Sequence, residues 1–313
     1  MRVMLAVMMT AMIILPIQAS AATGQFWDHA RYDSDGVQVD GGTIGFTTQW
    51  NLSADNNTEK THSYHVDDMP TLVEIYTATW CTNCVTTQNI MNEAIGDSDV
   101  ELIHYHRHWF EPRDPFGSNS TEERWTTTYG HAVTLNGGAP RLAPTKVVDG
   151  ERMHYGARSN SDSLMDDYTA SLSMEDTVSL SGNLSLNVSQ AANTMYFEWD
   201  LSSLSIYTEA EYSLDPWILL IEEEAYFPDG SNGLEIYEHI LLEAIPLEPS
   251  GDGISSSELI LPQLWDGDDL KVAILVDWIV EKSPSQSPLP APGIVLLLSS
   301  LVAMAYVRQP RLP

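Results

Sequence analysis

The chain has two cysteines in 313 residues, Cys81 and Cys84, both in the stretch "YTATWCTNC". What flanks them constrains the fold most. Before them, "TLVEIY" is a short apolar run rich in β-branched residues, the pattern of a buried strand. After them, "NCVTTQNIMNEAIG" sets Val85, Ile90, Met91 and Ile95 at helical spacing and ends on Gly96, a helix stop signal. Strand, turn and helix therefore meet at the cysteine pair, with Cys81 at the start of the helix.

Three chemistries fit a Cys-x-x-Cys pair. A staple between residues i and i+3 closes a very small loop and constrains the unfolded chain little. Exported proteins stabilised by disulfides carry several, linking distant segments. A structural zinc site needs four ligands. His104, His106 and His108 alternate in "IHYHRHW", and on a strand they share one face, so a zinc or copper carrier using both cysteines is an alternative. Redox chemistry fits the setting best. A helix N-terminus stabilises the Cys81 thiolate, and Cys84, one turn on, can resolve a mixed disulfide. The pair is read as redox-active, with no metal ligand set assigned and no cofactor expected.

The rest of the chain divides by pattern. Arg2, the apolar run 3–17 and Ala19-Ser20-Ala21 read as a secretory signal peptide over 1–22. Residues 23–68 form an extension with a strand or two and no core of their own. Residues 69–173 alternate strands and helices. Within them Ser120 and Glu123 have capping-box spacing, and Asp149-Gly150 marks a hairpin in "PTKVVDGERMHYG". Residues 175–282 hold several period-two runs separated by Asp, Gly, Ser and Asn turns, the pattern of a β-sandwich. A Pro/Ser linker follows over 283–293. The apolar segment 294–307 is at or below the spanning minimum of about 17 residues and precedes Arg308 and Arg311. It is read as a membrane or sorting segment that tethers an extracytoplasmic body to the cell surface by its C-terminus. The formal charge of −30 argues against a nucleic-acid partner, which needs a basic footprint.

"LVEIYTATWCTNC", with Trp80 directly before the first cysteine, resembles the active-site motif of the thioredoxin superfamily. "LAPTKVVDG" resembles that family's cis-proline segment, with Pro144 facing the dithiol and Ala143 before it. Pro140 competes for this place, but a strand directly follows Pro144. The wider layout is similar to a secreted thioredoxin-fold branch related to bacterial outer-membrane lipoproteins, and the last residues resemble prokaryotic C-terminal sorting tails.

The resemblance implies an α/β thioredoxin-like domain followed by an all-β immunoglobulin-like sandwich. It also implies a thiol–disulfide oxidoreductase whose partners are proteins with thiols or disulfides, together with an unidentified redox partner. Cys81 would attack, Cys84 resolve, and Trp80, Ala143 and Pro144 bind the substrate. The sequence departs from the family at three points, one being that a C-terminal apolar segment stands in place of the branch's lipoprotein anchor. Glu74 lies one residue further from Cys81 than the family's buried acid, and strand alternation turns it to the other face, where it reads as solvated. Thr82-Asn83 between the cysteines is neither Gly-Pro nor Pro-His, so no redox direction carries over. A surface binding module with a vestigial dithiol is the other class of function. Trp125 is read as core, Asp114 as a turn residue before proline, Glu222, Glu223 and Glu224 as a solvated strand end, and His239 as structural.

Overall fold

The computed structural model describes residues 26–51, 59–174, 180–249, 254–266 and 269–281. The expected signal peptide, linker and C-terminal apolar segment lie outside the described residues. Among the described residues no helix is long and apolar enough to cross a membrane.

The strands in chain order begin with β1 (Asp28–His29), β2 (Gly41–Asn51), β3 (Glu59–His65), β4 (Thr71–Thr77) and β5 (Val100–His106). Helix α1 (Thr82–Ile95) joins β4 to β5. Helix α2 (Asn119–Trp125) continues through a π turn at Thr126–Gly130 into α3 (His131–Leu135). The hairpin β6 (Thr145–Val148) and β7 (Arg152–Tyr155) and helix α4 (Leu164–Leu172) follow. The remainder is β: β8 (Leu180–Ser181), β9 (Asn183–Ala191), β10 (Thr194–Asp200), β11 (Ser205–Ile206), β12 (Tyr212–Tyr226), β13 (Ile236–Pro246), β14 (Ile254–Ile260) and β15 (Asp269–Val280).

These strands do not form an α/β thioredoxin-like domain with a separate immunoglobulin-like sandwich behind it, and that expectation is corrected. The chain is mostly β, and its largest element is one mixed nine-stranded sheet ordered β1-β7-β6-β4-β5-β13-β12-β15-β2. The joint is β5, which pairs in parallel with β4 on one side and with β13 on the other, Ile240 opposite His104. Local periodicity shows where strands are but not which edges they share, so the two halves looked separable in the sequence. A second sheet, β14-β10-β9-β3, packs over the β2, β12 and β15 end around Phe46, Trp50, Leu186, Phe197, Ile274 and Trp278. That two-layer packing is consistent with a β-sandwich.

β4 is central and buried from Leu72 to Tyr76, which explains its continuous apolar run. Leu72 and Tyr76 face a core with Tyr105, Trp125 and Tyr129, whereas Val73 and Ile75 face Met91 of α1 and Tyr168 of α4. Trp125 is fully buried. The capping box of α2 is built by Ser118 and Thr121, two residues earlier than the Ser120 and Glu123 expected, which leaves Ser120 to reach Glu243 of β13.

The sheet curls so that β2 returns to the β6–β7 turn. The Thr43 amide donates to the Asp149 carbonyl at 2.7 Å, and Arg31 Nε donates to the Gly150 carbonyl at 2.9 Å. A Cβ on Gly150 would lie 2.3 Å from Thr43 Oγ1, and its φ of +68° also favours glycine. Behind this contact sits a buried polar network. Asp277 accepts from Arg31 at 2.8 Å, Thr43 at 2.7 Å and Arg124 at 2.6 Å. Burial opposes the Asp277 charge, but Arg124 and Arg31 outweigh it and hold the carboxyl well below the usual carboxylate range.

Candidate functional site

Cys81 is the N-cap of α1, and its sulfur accepts from the Cys84 amide at 3.2 Å. The two sulfurs are joined in a disulfide, with the Cα atoms 5.2 Å apart. Both residues are 5% exposed, so neither sulfur is an open surface group. Ala78 completes their small cluster, and Trp80 and Ala143 pack against it. The Ala143–Pro144 peptide is cis, and among the described residues it is the only cis bond. The structure thus brings Trp80, Cys81, Cys84 and Ala143 to one place, with Pro144 next in the chain across the cis bond, whereas the Pro140 carbonyl accepts from Trp125 Nε1 at 3.3 Å.

Glu74 faces away from the dithiol, as alternation requires, but it is not solvated: it is 1% exposed. Its carboxylate accepts from the Tyr105 and Tyr129 hydroxyls and from Arg124 at 3.1 Å, within the Asp277 network. One ionisable group buried on the dithiol side is a lysine. Lys146, opposite Ile75 in the β4–β6 register, is buried beneath α1. Its ammonium donates to Thr87 Oγ1 at 2.8 Å, and that hydroxyl donates to the Cys84 carbonyl at 3.1 Å. Burial lowers the Lys146 pKa to about 7. Nothing local marks Lys146, because Thr87 is 59 residues away.

A cleft of about 290 Å³ opens beside Cys84, between α1 and the β12–β13 hairpin, with Ile75, Gln88, His104, His106 and Tyr237 among its walls. His104 and His106 do share a strand face, but His108 lies beyond the strand, its amide bonded to Glu122 at 2.6 Å. His104 Nδ1 meets the Glu238 carbonyl at 2.6 Å, and burial with His239 and His106 nearby holds its pKa well below the usual histidine range. His106 Nδ1 lies 3.0 Å from both Asp114 oxygens. Among the described residues no group of three or more His, Cys, Asp or Glu is arranged to hold a metal ion.

Two further groups shape the motif turn. Asp114, expected as a turn residue, is 4% exposed and accepts from the Thr79 amide at 2.9 Å as well as facing His106. The Thr79 carbonyl accepts from the Ser231 amide at 3.0 Å, the Asn232 amide at 3.2 Å and the Tyr237 hydroxyl at 3.2 Å. The hairpin of the β-rich half therefore grips the residue before Trp80. Glu222 is also buried, contrary to its reading as solvated, and it accepts from the Trp265 and Asp266 amides.

No protein-family model matches the chain, and no curated protein matches it. Two solved structures are similar in part. One is a protein from Agrobacterium tumefaciens, 15% identical over 61% of this chain and 78% of its own, with a TM-score of 0.38. The other is HBP35 of Porphyromonas gingivalis, 15% identical over 66% of this chain and 68% of its own, with a TM-score of 0.39. At these scores neither neighbour fixes the fold or the chemistry of this chain.

Proposed function

We propose that Cys81 and Cys84 carry out thiol–disulfide exchange with protein cysteines. The observation that carries this reading is the placement of the chain's two cysteines, joined at the N-terminus of a 14-residue helix and packed against Ala143. The resemblance of "ATWCTNC" and "LAPTKV" to a redox motif and its proline segment supports it. In the oxidising direction a substrate thiolate attacks Cys81 Sγ, the Cys81–Cys84 bond breaks, and Cys84 leaves as a thiolate. A second substrate thiolate then attacks the first substrate sulfur and releases the Cys81 thiolate, so two electrons pass from substrate to protein. The same steps in reverse reduce a substrate disulfide. Free N–H groups and the helix dipole favour the Cys81 thiolate in both directions. An extracytoplasmic, membrane-tethered setting belongs to the same proposal and rests on the sequence of the two ends.

The test is trapping. Cys84→Ser should accumulate mixed disulfides through Cys81 and Cys81→Ser should not. The pair should titrate between about −120 and −270 mV in thiol buffers. A disulfide that resists reduction below about −300 mV, with no trapped species, would overturn the proposal.

A further inference from the structure

We propose that the partner's cysteine arrives in an acidic segment, one that also carries an apolar side chain, seated on a rim formed by Trp80, Arg107, Phe110 and Arg113. The inference rests on the exchange reading above and names its substrate class.

Acidic residues outnumber basic ones 44 to 14 in this chain, and among the described residues most arginines are paired with carboxylates. Arg31, Arg124, Arg141 and Lys271 each have a carboxylate within 3.3 Å. Arg107 has none among the described residues, and its shielded Nε lacks a hydrogen-bond partner. Its guanidinium lies 5.8 Å from the centroid of the Trp80 ring, directly beside the cysteines. Arg113 lies 5.5 Å from the same ring. Its side chain is 68% exposed, and its one carboxylate contact, with the largely shielded Glu111, spans 3.5 Å, longer than the pairs above, so the guanidinium keeps an open face. The other carboxylates here are committed elsewhere: Asp114 to His106, and Glu122 to Arg141.

The loop bearing these groups is held at both ends. Glu122 accepts from the His108 and Trp109 amides at 2.6 and 3.1 Å, and Arg141 donates to the Trp109 carbonyl at 2.5 Å. Asp114 fixes the far end on Thr79. Between the anchors Phe110 is 99% exposed with φ +61°, an aromatic ring held out into solvent. An anionic segment is repelled by most of this molecule's surface and attracted at the one rim that borders the disulfide.

The experiment uses the full oxidised chain and synthetic single-cysteine peptides with Asp/Glu, Asn/Gln or Lys/Arg flanks around a common leucine. Rates of attack on Cys81–Cys84 are normalised to each peptide's rate with the neutral bis(2-hydroxyethyl) disulfide, which removes differences in thiol reactivity. The acidic peptide should react about fivefold faster than the neutral one at low salt, as two solvated ion pairs allow. That ratio should fall to about one near 1 M salt, where the screening length is about 3 Å. R107Q/R113Q should abolish the ratio at low salt, and the salt titration tests the idea with no variant at all. Equal rates for acidic and neutral peptides, or a ratio indifferent to salt and to the arginines, would overturn this inference while exchange stands. Failure of every peptide to react would overturn the exchange reading, and this inference with it.

Discussion

Lys146 illustrates how a single buried group sets a pH response. Its amine is lowered from 10.5 to about 7 by burial, and no carboxylate offsets the cost. The unfolded chain binds that proton up to about pH 10.5 and the folded chain only to about 7, so native stability gains as pH rises through this window. The penalty is full below about pH 7 and gone above about 10.5. Lys146→Met removes it. The variant should exceed the natural protein in urea stability near pH 6, with the difference shrinking by up to about 1.4 kcal/mol per pH unit as the pH approaches 10. A difference that is constant with pH would mean an ordinary amine. At this scale the sequence was informative where the chemistry is contiguous: Trp80, Cys81 and Cys84 lie within one turn, and Ala143–Pro144 within one short motif. Lys146 has no local mark, and the burial of Glu74 and Asp114 is not legible locally, because it depends on partners elsewhere in the chain.

Among the elements, the loop after β5 and the β12–β13 hairpin matter as much as α1. Both end on Thr79, the first through Asp114 and its amide, the second through three donors to its carbonyl. Asp114→Ala would leave the buried Thr79 amide and His106 without their carboxylate. We expect a loss of about 1.5–3 kcal/mol, the range for hydrogen bonds to a charged group, and faster amide exchange at Thr79. Asp114→Asn, which keeps an acceptor, should lose less. Equal stability of all three proteins in urea would show that the turn holds without this contact. The hairpin's closeness also limits substitution: a Cβ on Gly230 would lie 2.0 Å from the Tyr237 hydroxyl. Strands and helices here were legible from periodicity, including α1 and the β6–β7 hairpin. The capping box was displaced because two overlapping Ser-x-x-Thr/Glu frames occur, and only tertiary contact with Glu243 selects between them.

For the whole molecule, the shared sheet makes the apparent domain boundary a poor place to cut. Residues 69–173 expressed alone would expose the β5 edge that pairs with β13 and would lose Asp277, leaving Arg124 buried with half its carboxylate partners. Breaking a buried ion network in this way costs about 3–5 kcal/mol, a large share of a small domain's stability. That fragment should show no cooperative urea transition, whereas the full chain should unfold with the two halves coupled. A sharp, independent transition in the fragment would restore the two-domain view. Pairing between strands separated by more than a hundred residues leaves no local trace, which is why the architecture was less legible than its parts. The return of β2 onto the Asp149–Gly150 turn has a further effect. An 11-residue strand at the end of a nine-stranded sheet is normally a template for another chain. Here the Thr43 amide is already taken by Asp149, and Lys60 lies across the Gln49 carbonyl. The curl that shelters Arg31 also caps the sheet, and so guards the protein against strand-by-strand polymerisation.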